Sequence, residues 1–426
     1  MSGKGKEKEK DKHPPCEDHK VDILIVGAGL AGLHSALIIS ERFPKAKICI
    51  AEAYNYTGGR VLTYSPKGFP GIQWEMGAGR IHRSHTKTLS YCSKYGLTIL
   101  PISSESVFLS EATNVAIEDP WPQTASAINT LLHKLKPDIL ATNTVDTLLE
   151  KVTGDMNQLM KFPYSAETHV LRADMALQSF QKEMGSSEGF VVVKEGLSAL
   201  IDGMVKELKH RGIVFFFDHT LVDLDTRDCK AIFENGCTIS YNQCILALHA
   251  KALKQIPITQ KLPAVQNVLM CPLLRIYAVF KTHKGRSWFD DLPKIVTDSP
   301  LRYIIPINPT KGVIMISYTD ASDTEFWTSI LEKKGVDGLQ EAIMKEVRKL
   351  FPDRHIPDPF YLKPHPWSEG CSYWKAGSYS VKEMSESIIN PIPNVYICNE
   401  SFSTTHQCWM EGALDHADQM LKQCFF

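Results

Sequence analysis

Three glycines and one carboxylate near the start of the chain have the types and the spacing to hold a dinucleotide. In the run GAGLAG, Gly27 permits a tight turn, Gly29 lets backbone approach a pyrophosphate, and Gly32 lets a helix pack closely on a strand. Each of these tasks needs a residue without Cβ. Glu52 lies 20 residues beyond Gly32, where a carboxylate accepts the hydroxyls of an adenosine ribose and repels a 2′-phosphate. Ala28 and Ala53, beside Gly27 and Glu52, share the expected contact surface.

The elements that must position these groups can be read around them. The apolar run VDILIV (21–26) is a strand, the stretch after Gly29 a helix, and KICIAE (47–52) a second strand. The helix start directs free N–H groups and the positive end of its dipole at the phosphates. A spanning segment over Val21–Ile39 is the competing reading, but three glycines, Asp22 and His34 interrupt it, and no other stretch is long enough for a bilayer.

Composition bounds the rest. At 426 residues, 43% hydrophobic and 22% charged, the chain exceeds the size of one hydrophobic core and predicts two domains. A net charge of −1 gives no electrostatic case for nucleic acid or a membrane surface. The 11 cysteines form no CxxC pair, and no apolar leader opens the chain. That combination predicts reduced thiols and a cytoplasmic protein. Residues 1–20 mix both charge signs with few apolar groups and read as a solvated tail. The 15 histidines show no HExxH or paired metal spacing, so no metal is assigned.

Further motifs carry a resemblance. TGGRVLTY (57–64), WEMGAGRIH (74–82), NVYICNES (394–401) and CWMEGALDHA (408–417) together resemble the flavin-containing amine oxidase superfamily, closest in these motifs to its L-amino acid oxidases. The resemblance implies FAD held by Gly59 and Arg60, by Gly77, Ala78, Gly79 and Arg80, by Val222 through its backbone at the adenine, and by Trp367. It places Glu400 near the ribityl chain and pyrophosphate. Trp409 and Met410 start a closing helix whose N-terminus faces the flavin pyrimidine, where it stabilises negative charge.

The same resemblance suggests roles at the reacting end. Arg80 stands where relatives that oxidise amino acids grip the substrate carboxylate, a task suited to a planar charged fork; otherwise it meets FAD phosphate or an internal acid. Arg83, like Arg60, reads as structural or phosphate-facing. Lys294, in KIVTDSPLRYIIP, resembles the family lysine that reaches flavin N5 through water. In PWSEGCSYWKAGSYS (366–380) two registers compete: one puts Cys371 at the position that forms a flavin thioether, the other puts Ser378 there and Tyr379 over the substrate. We adopt the second, with noncovalent FAD and Tyr379 and Trp409 as two aromatic walls. Cys408 departs from the family's usual glycine and puts the amine geometry in question.

The expected architecture is α/β. A discontinuous Rossmann-like FAD domain takes 21–100, 195–261 and 388–426; an α+β substrate domain with a helical subdomain takes 101–194 and 262–387. The expected activity is oxidative deamination of an L-amino acid with molecular oxygen, releasing keto acid, ammonia and hydrogen peroxide. An amine or polyamine oxidase without a carboxylate clamp and a silent flavin-binding scaffold remain open. Substrate side chain and oligomeric state are not legible.

Overall fold

A computed structural model describes residues 19–153, 170–179 and 189–426. Two large sheets dominate it. The first takes the leading strand His19–Val26 into its middle, paired in parallel with Ile48–Ala51 on one side and Thr238–Leu246 on the other. Parallel extensions at Val214–Phe216 and Val395–Ile397 widen it, and an antiparallel pair, Leu221–Asp225 and Lys230–Phe233, forms one flank. Ile23 through Val26 and Ile48 through Ala51 are all buried, as strands covered on both faces must be. The helix Leu30–Arg42 covers one face, packed beside Ser198–His210 and the closing helix Met410–Cys424. The leading strand starts at His19, so the expected tail ends earlier than residue 20. Its residues 1–18 lie outside the described set.

The second sheet runs, in spatial order, Tyr361–Trp374, Val268–Val279, Val313–Asp320, Tyr303–Asn308, Lys294–Thr297, Ser106–Leu109 and Ala116–Glu118. The long helix Thr324–Leu350 packs on it through Trp327, Leu339, Ile343 and Val347. Four shorter helices, Trp121–Leu132, Pro137–Thr142, Val145–Thr153 and Ala173–Ser179, share a separate core. The segment expected to be a helical subdomain therefore opens with two strands, because Ser106–Leu109 completes the second sheet by pairing with Lys294–Thr297. A small sheet has the order Ile81–His82, Phe190–Val193 and Ile99–Pro101.

Among the described residues no helix is long and apolar enough to cross a membrane. Cys237 is disulfide-bonded, which corrects the expectation of wholly reduced thiols.

Candidate functional site

A cavity of about 1790 Å³ opens between the two sheets. Its floor is the glycine turn after the leading strand, and the structure divides the labour there. Gly27 has φ +105°, and a Cβ on it would meet the Ala247 carbonyl oxygen at 2.7 Å; a Cβ on Gly32 would strike the Gly27 carbonyl oxygen. Gly29 is different: a Cβ there meets nothing within 4 Å, because the residue faces the cavity. The helix behind it has Gly29 as N-cap without a side-chain cap, so its first N–H groups stay available for an anion.

Glu52 lines the cavity while almost fully buried. Its carboxylate accepts from the Ala28 N–H at 2.6 Å and the Tyr54 N–H at 3.0 Å. Burial pushes its pKa up, against those hydrogen bonds. Ala53 and Gly59 continue the wall. Gly77, Ala78 and Gly79 form a second glycine loop along it, and a Cβ on Gly77 would collide with the Arg60 carbonyl.

Arg60 and Glu400 form a short ion pair on the cavity wall. Glu400 also accepts from the Ser372 hydroxyl and from the Cys408 N–H at 3.2 Å, and Arg60 donates to the Gly370 carbonyl at 3.1 Å. Burial works to lower the Arg60 pKa, but the Glu400 carboxylate outweighs it and the net shift is upward. Trp367 lines the same wall and donates from Nε1 to the Met76 carbonyl at 2.7 Å. Opposite the glycine turn, the closing helix presents Trp409 and Met410 to the cavity, again with no side-chain cap. Two helix N-termini thus converge on one space.

Arg80 is exposed to the cavity, its guanidinium 4.3 Å above the Phe190 ring and 5.6 Å from that of Trp409. Among the described residues it makes no ion pair. Lys294 lines the cavity nearby. Its pKa is lowered, first by burial and then by Arg80, with Asp119 opposing. Two like charges facing one space favour an anion between them.

Sequence reasoning missed a third cation, Arg275. It lines the cavity, its Nε is buried with no hydrogen-bond partner, and its Nη1 reaches the Glu75 carbonyl only at 3.4 Å. A Cβ on Gly79 would lie 2.6 Å from that Nη1, so the glycine also makes room for the guanidinium. The signal in the sequence was an arginine within the apolar strand VLMCPLLRIYAV.

Val222, expected to act through its backbone, has its side chain toward solvent, and Thr220 and Leu221 beside it line the cavity. Tyr379 stands elsewhere than expected. Tyr379 packs on the Arg172 guanidinium at 4.6 Å, and its hydroxyl donates to the Lys375 carbonyl. The tyrosine of this stretch that lines the wall is Tyr373, with Cys371 two residues before it; Ser378 is not on the wall. The register chosen from sequence placed Ser378 and Tyr379 there, whereas the strand Tyr361–Trp374 ends before them. Cys408 lines the cavity with φ +67°, the backbone region that favours glycine.

Among the described residues no cluster of three or more His, Cys, Asp or Glu could hold a metal. The cavity's glycine cradle, buried acid and uncapped helix starts do suit a dinucleotide. The model for flavin containing amine oxidoreductases matches residues 30–419. The chain belongs to that family.

The chain is also 22% identical to an L-amino-acid oxidase of Siganus canaliculatus, with 93% of this chain and 83% of that protein covered. An L-amino acid oxidase of Crotalus durissus cumanensis is 20% identical, with 92% and 87% covered. Among solved structures, a putrescine oxidase redesigned in its cofactor binding superposes with a TM-score of 0.76 at 14% identity, over 96% of this chain and 99% of that one. Putrescine oxidase bound to putrescine gives 0.74 at the same identity and coverage. These likenesses show the fold: a Rossmann-like flavin domain with a substrate domain over it.

Proposed function

We propose that this flavin amine oxidoreductase is an FAD-dependent oxidase of L-amino acids. The observation that carries the reading is Arg80, a cation facing the cavity without a carboxylate partner among the described residues, beside the second cation Lys294. An α-carboxylate placed there would relieve their repulsion and receive two parallel donors from the guanidinium. Phe190 and Trp409, stacked 5.7 Å apart with rings nearly parallel, fix the height of that guanidinium and exclude water from its apolar face.

FAD, when bound, takes up the two electrons of the substrate Cα–H bond and passes them to oxygen. Gly29, Glu52, Arg60 and the two helix starts would hold it. We assign Arg275 and the start of the closing helix to balance negative charge beside Gly79, and Lys294 to the substrate side with Arg80. We read the FAD as noncovalent; Cys371 lines the cavity and also packs against the apolar cluster of Cys271 and Leu269. Hydride transfer needs no obligate protein acid or base, so positioning and charge are the protein's contribution.

Glu105, Glu118 and Asp119 also line the cavity, and this acidic lining favours a second reading, an amine or polyamine oxidase. A peroxide-release screen of L-amino acids beside putrescine, spermine and benzylamine tests the two. Turnover of amino acids alone supports the first, turnover of the amines alone the second, and a yellow protein inert to all would leave a silent scaffold.

A further inference from the structure

The strand pair that walls the cavity carries chemistry that the oxidase reading does not use. In the antiparallel ladder of Val268–Val279 with Tyr361–Trp374, Cys271 stands directly opposite Cys371. Opposed residues in such a ladder have Cα atoms roughly 4.5–5.5 Å apart, inside the roughly 4.4–6.8 Å that a disulfide accepts. Their side chains leave the same face of the sheet, and both pack in one apolar cluster with Leu269 and Tyr373. Regular pairs hold their Cβ atoms about 4.5–5.5 Å apart, against about 3.5–4.5 Å in a disulfide. The ladder shifts register between Cys271 and Leu273, and a bulge of that kind already loosens pairing, so the strands have the freedom to close the difference.

The two sulfurs occupy unequal positions. Both are thiols. Cys371 lines the cavity, whereas Cys271 sits behind it at 4% exposure. The Arg60 guanidinium donates to the carbonyl of Gly370, the residue beside Cys371, on the same wall.

We propose that Cys371 and Cys271 form a peroxide-oxidised dithiol, with Cys371 as the attacking sulfur and Cys271 as the resolving one. The Cys371 thiol gives up its proton as its sulfur attacks hydrogen peroxide; an S–O bond forms, the O–O bond breaks, and the departing hydroxide takes that proton to leave as water. Cys271 then attacks the sulfenic sulfur, the S–S bond forms, the S–O bond breaks, and a second water departs. Two thiols are oxidised and one peroxide is reduced to two waters. The disulfide withholds Cys371 from irreversible oxidation to sulfinic acid and staples two strands of the cavity wall. The native source of peroxide rests on the oxidase reading above, whereas added peroxide tests the dithiol without it.

The test is thiol mapping of the full-length, FAD-loaded protein before and after a small molar excess of hydrogen peroxide, with alkylation, digestion and mass spectrometry. The dithiol predicts Cys271 and Cys371 peptides joined at about 2 Da below their sum, separated again by dithiothreitol. In Cys271→Ser the same treatment should leave Cys371 about 32 Da heavier, as sulfinic acid. The wild-type map stands by itself if that variant does not fold. Three results overturn the proposal: both thiols still alkylated after peroxide, Cys371 joined to Cys408 instead, or flavin retained on the Cys371 peptide after acid denaturation. A crosslink formed with added peroxide but not during turnover of amine substrates in air would count against the oxidase reading and leave the dithiol standing.

Discussion

Replacing Gly29 and Gly32 by alanine separates the structural glycine from the ligand-facing one. A Cβ on Gly32 would overlap the Gly27 carbonyl and approach the Ala247 Cβ to 3.2 Å. Backbone lies on one side and a packed methyl on the other, so the helix Leu30–Arg42 must lift from the turn, an overpacking cost of about 1–3 kcal/mol. Gly29 has an ordinary φ of −77° and an open Cβ direction; as an N-cap, alanine there should change stability by within about 1 kcal/mol. It does, however, place a methyl where a pyrophosphate must approach. Gly29→Ala should leave urea unfolding of the apoprotein near wild type and weaken FAD binding by about tenfold or more, 1.4 kcal/mol. Gly32→Ala should destabilise the apoprotein itself. Flavin fluorescence quenching measures the affinity. Wild-type FAD affinity in Gly29→Ala, or apoprotein destabilised more by Gly29→Ala than by Gly32→Ala, would refute the division.

Other expectations follow from charge. Arg80→Ala should lower kcat/KM for amino acids by roughly 2–5 kcal/mol of lost pairing while sparing amines that lack a carboxylate; steady-state peroxide assays on both substrate classes check it. Glu400→Ala strands Arg60 in the wall and should cost about 3 kcal/mol in urea unfolding. Arg275→Met should make the bound flavin harder to reduce, read as a lower midpoint potential, with Lys294→Met moving it less. His85 is buried against His82, His406 and Trp409, with neither ring nitrogen hydrogen-bonded. Burial, then His406 and His82, lowers its pKa to about 3, so the fold favours its neutral form. The stability this contributes is complete above the unfolded value near 6.5 and declines as pH falls, by about 2 kcal/mol between pH 6.5 and 5. Unfolding of His85→Leu at both pH values should show a shallower acid loss than wild type.

What sequence made legible was local. The turn at Gly27 and Gly29, the packing glycine Gly32 and the acid at Glu52 are set by neighbours within one strand–helix–strand unit, where spacing decides geometry. The match across both chain ends likewise placed Arg60, Glu400 and Trp409 on one cavity, because each lies in a dense motif. Where position depends on how a strand ends or which face it shows, sequence misplaced the residue. Tyr379 and Tyr373 both sit in an aromatic-rich stretch, and only the end of the strand at Trp374 shows which faces the cavity. Val222 falls at a register shift between Leu221 and Asp223, an irregularity that no sequence period announces. Arg275 was passed over because an arginine in an apolar strand reads as an interruption until the cavity beside it is seen. The strand Ser106–Leu109 was hidden by distance: its partner Lys294–Thr297 lies almost two hundred residues away in the chain.

The Arg80 guanidinium is the group that would select for an acid group on the substrate. The direct measurement compares, in wild-type protein, peroxide release from L-phenylalanine, L-leucine and L-tyrosine with release from the amines made by removing their carboxyl groups. The account predicts that at least one amino acid exceeds its decarboxylated partner in kcat/KM by about thirtyfold or more, 2 kcal/mol. Equal or faster turnover of every amine would contradict it.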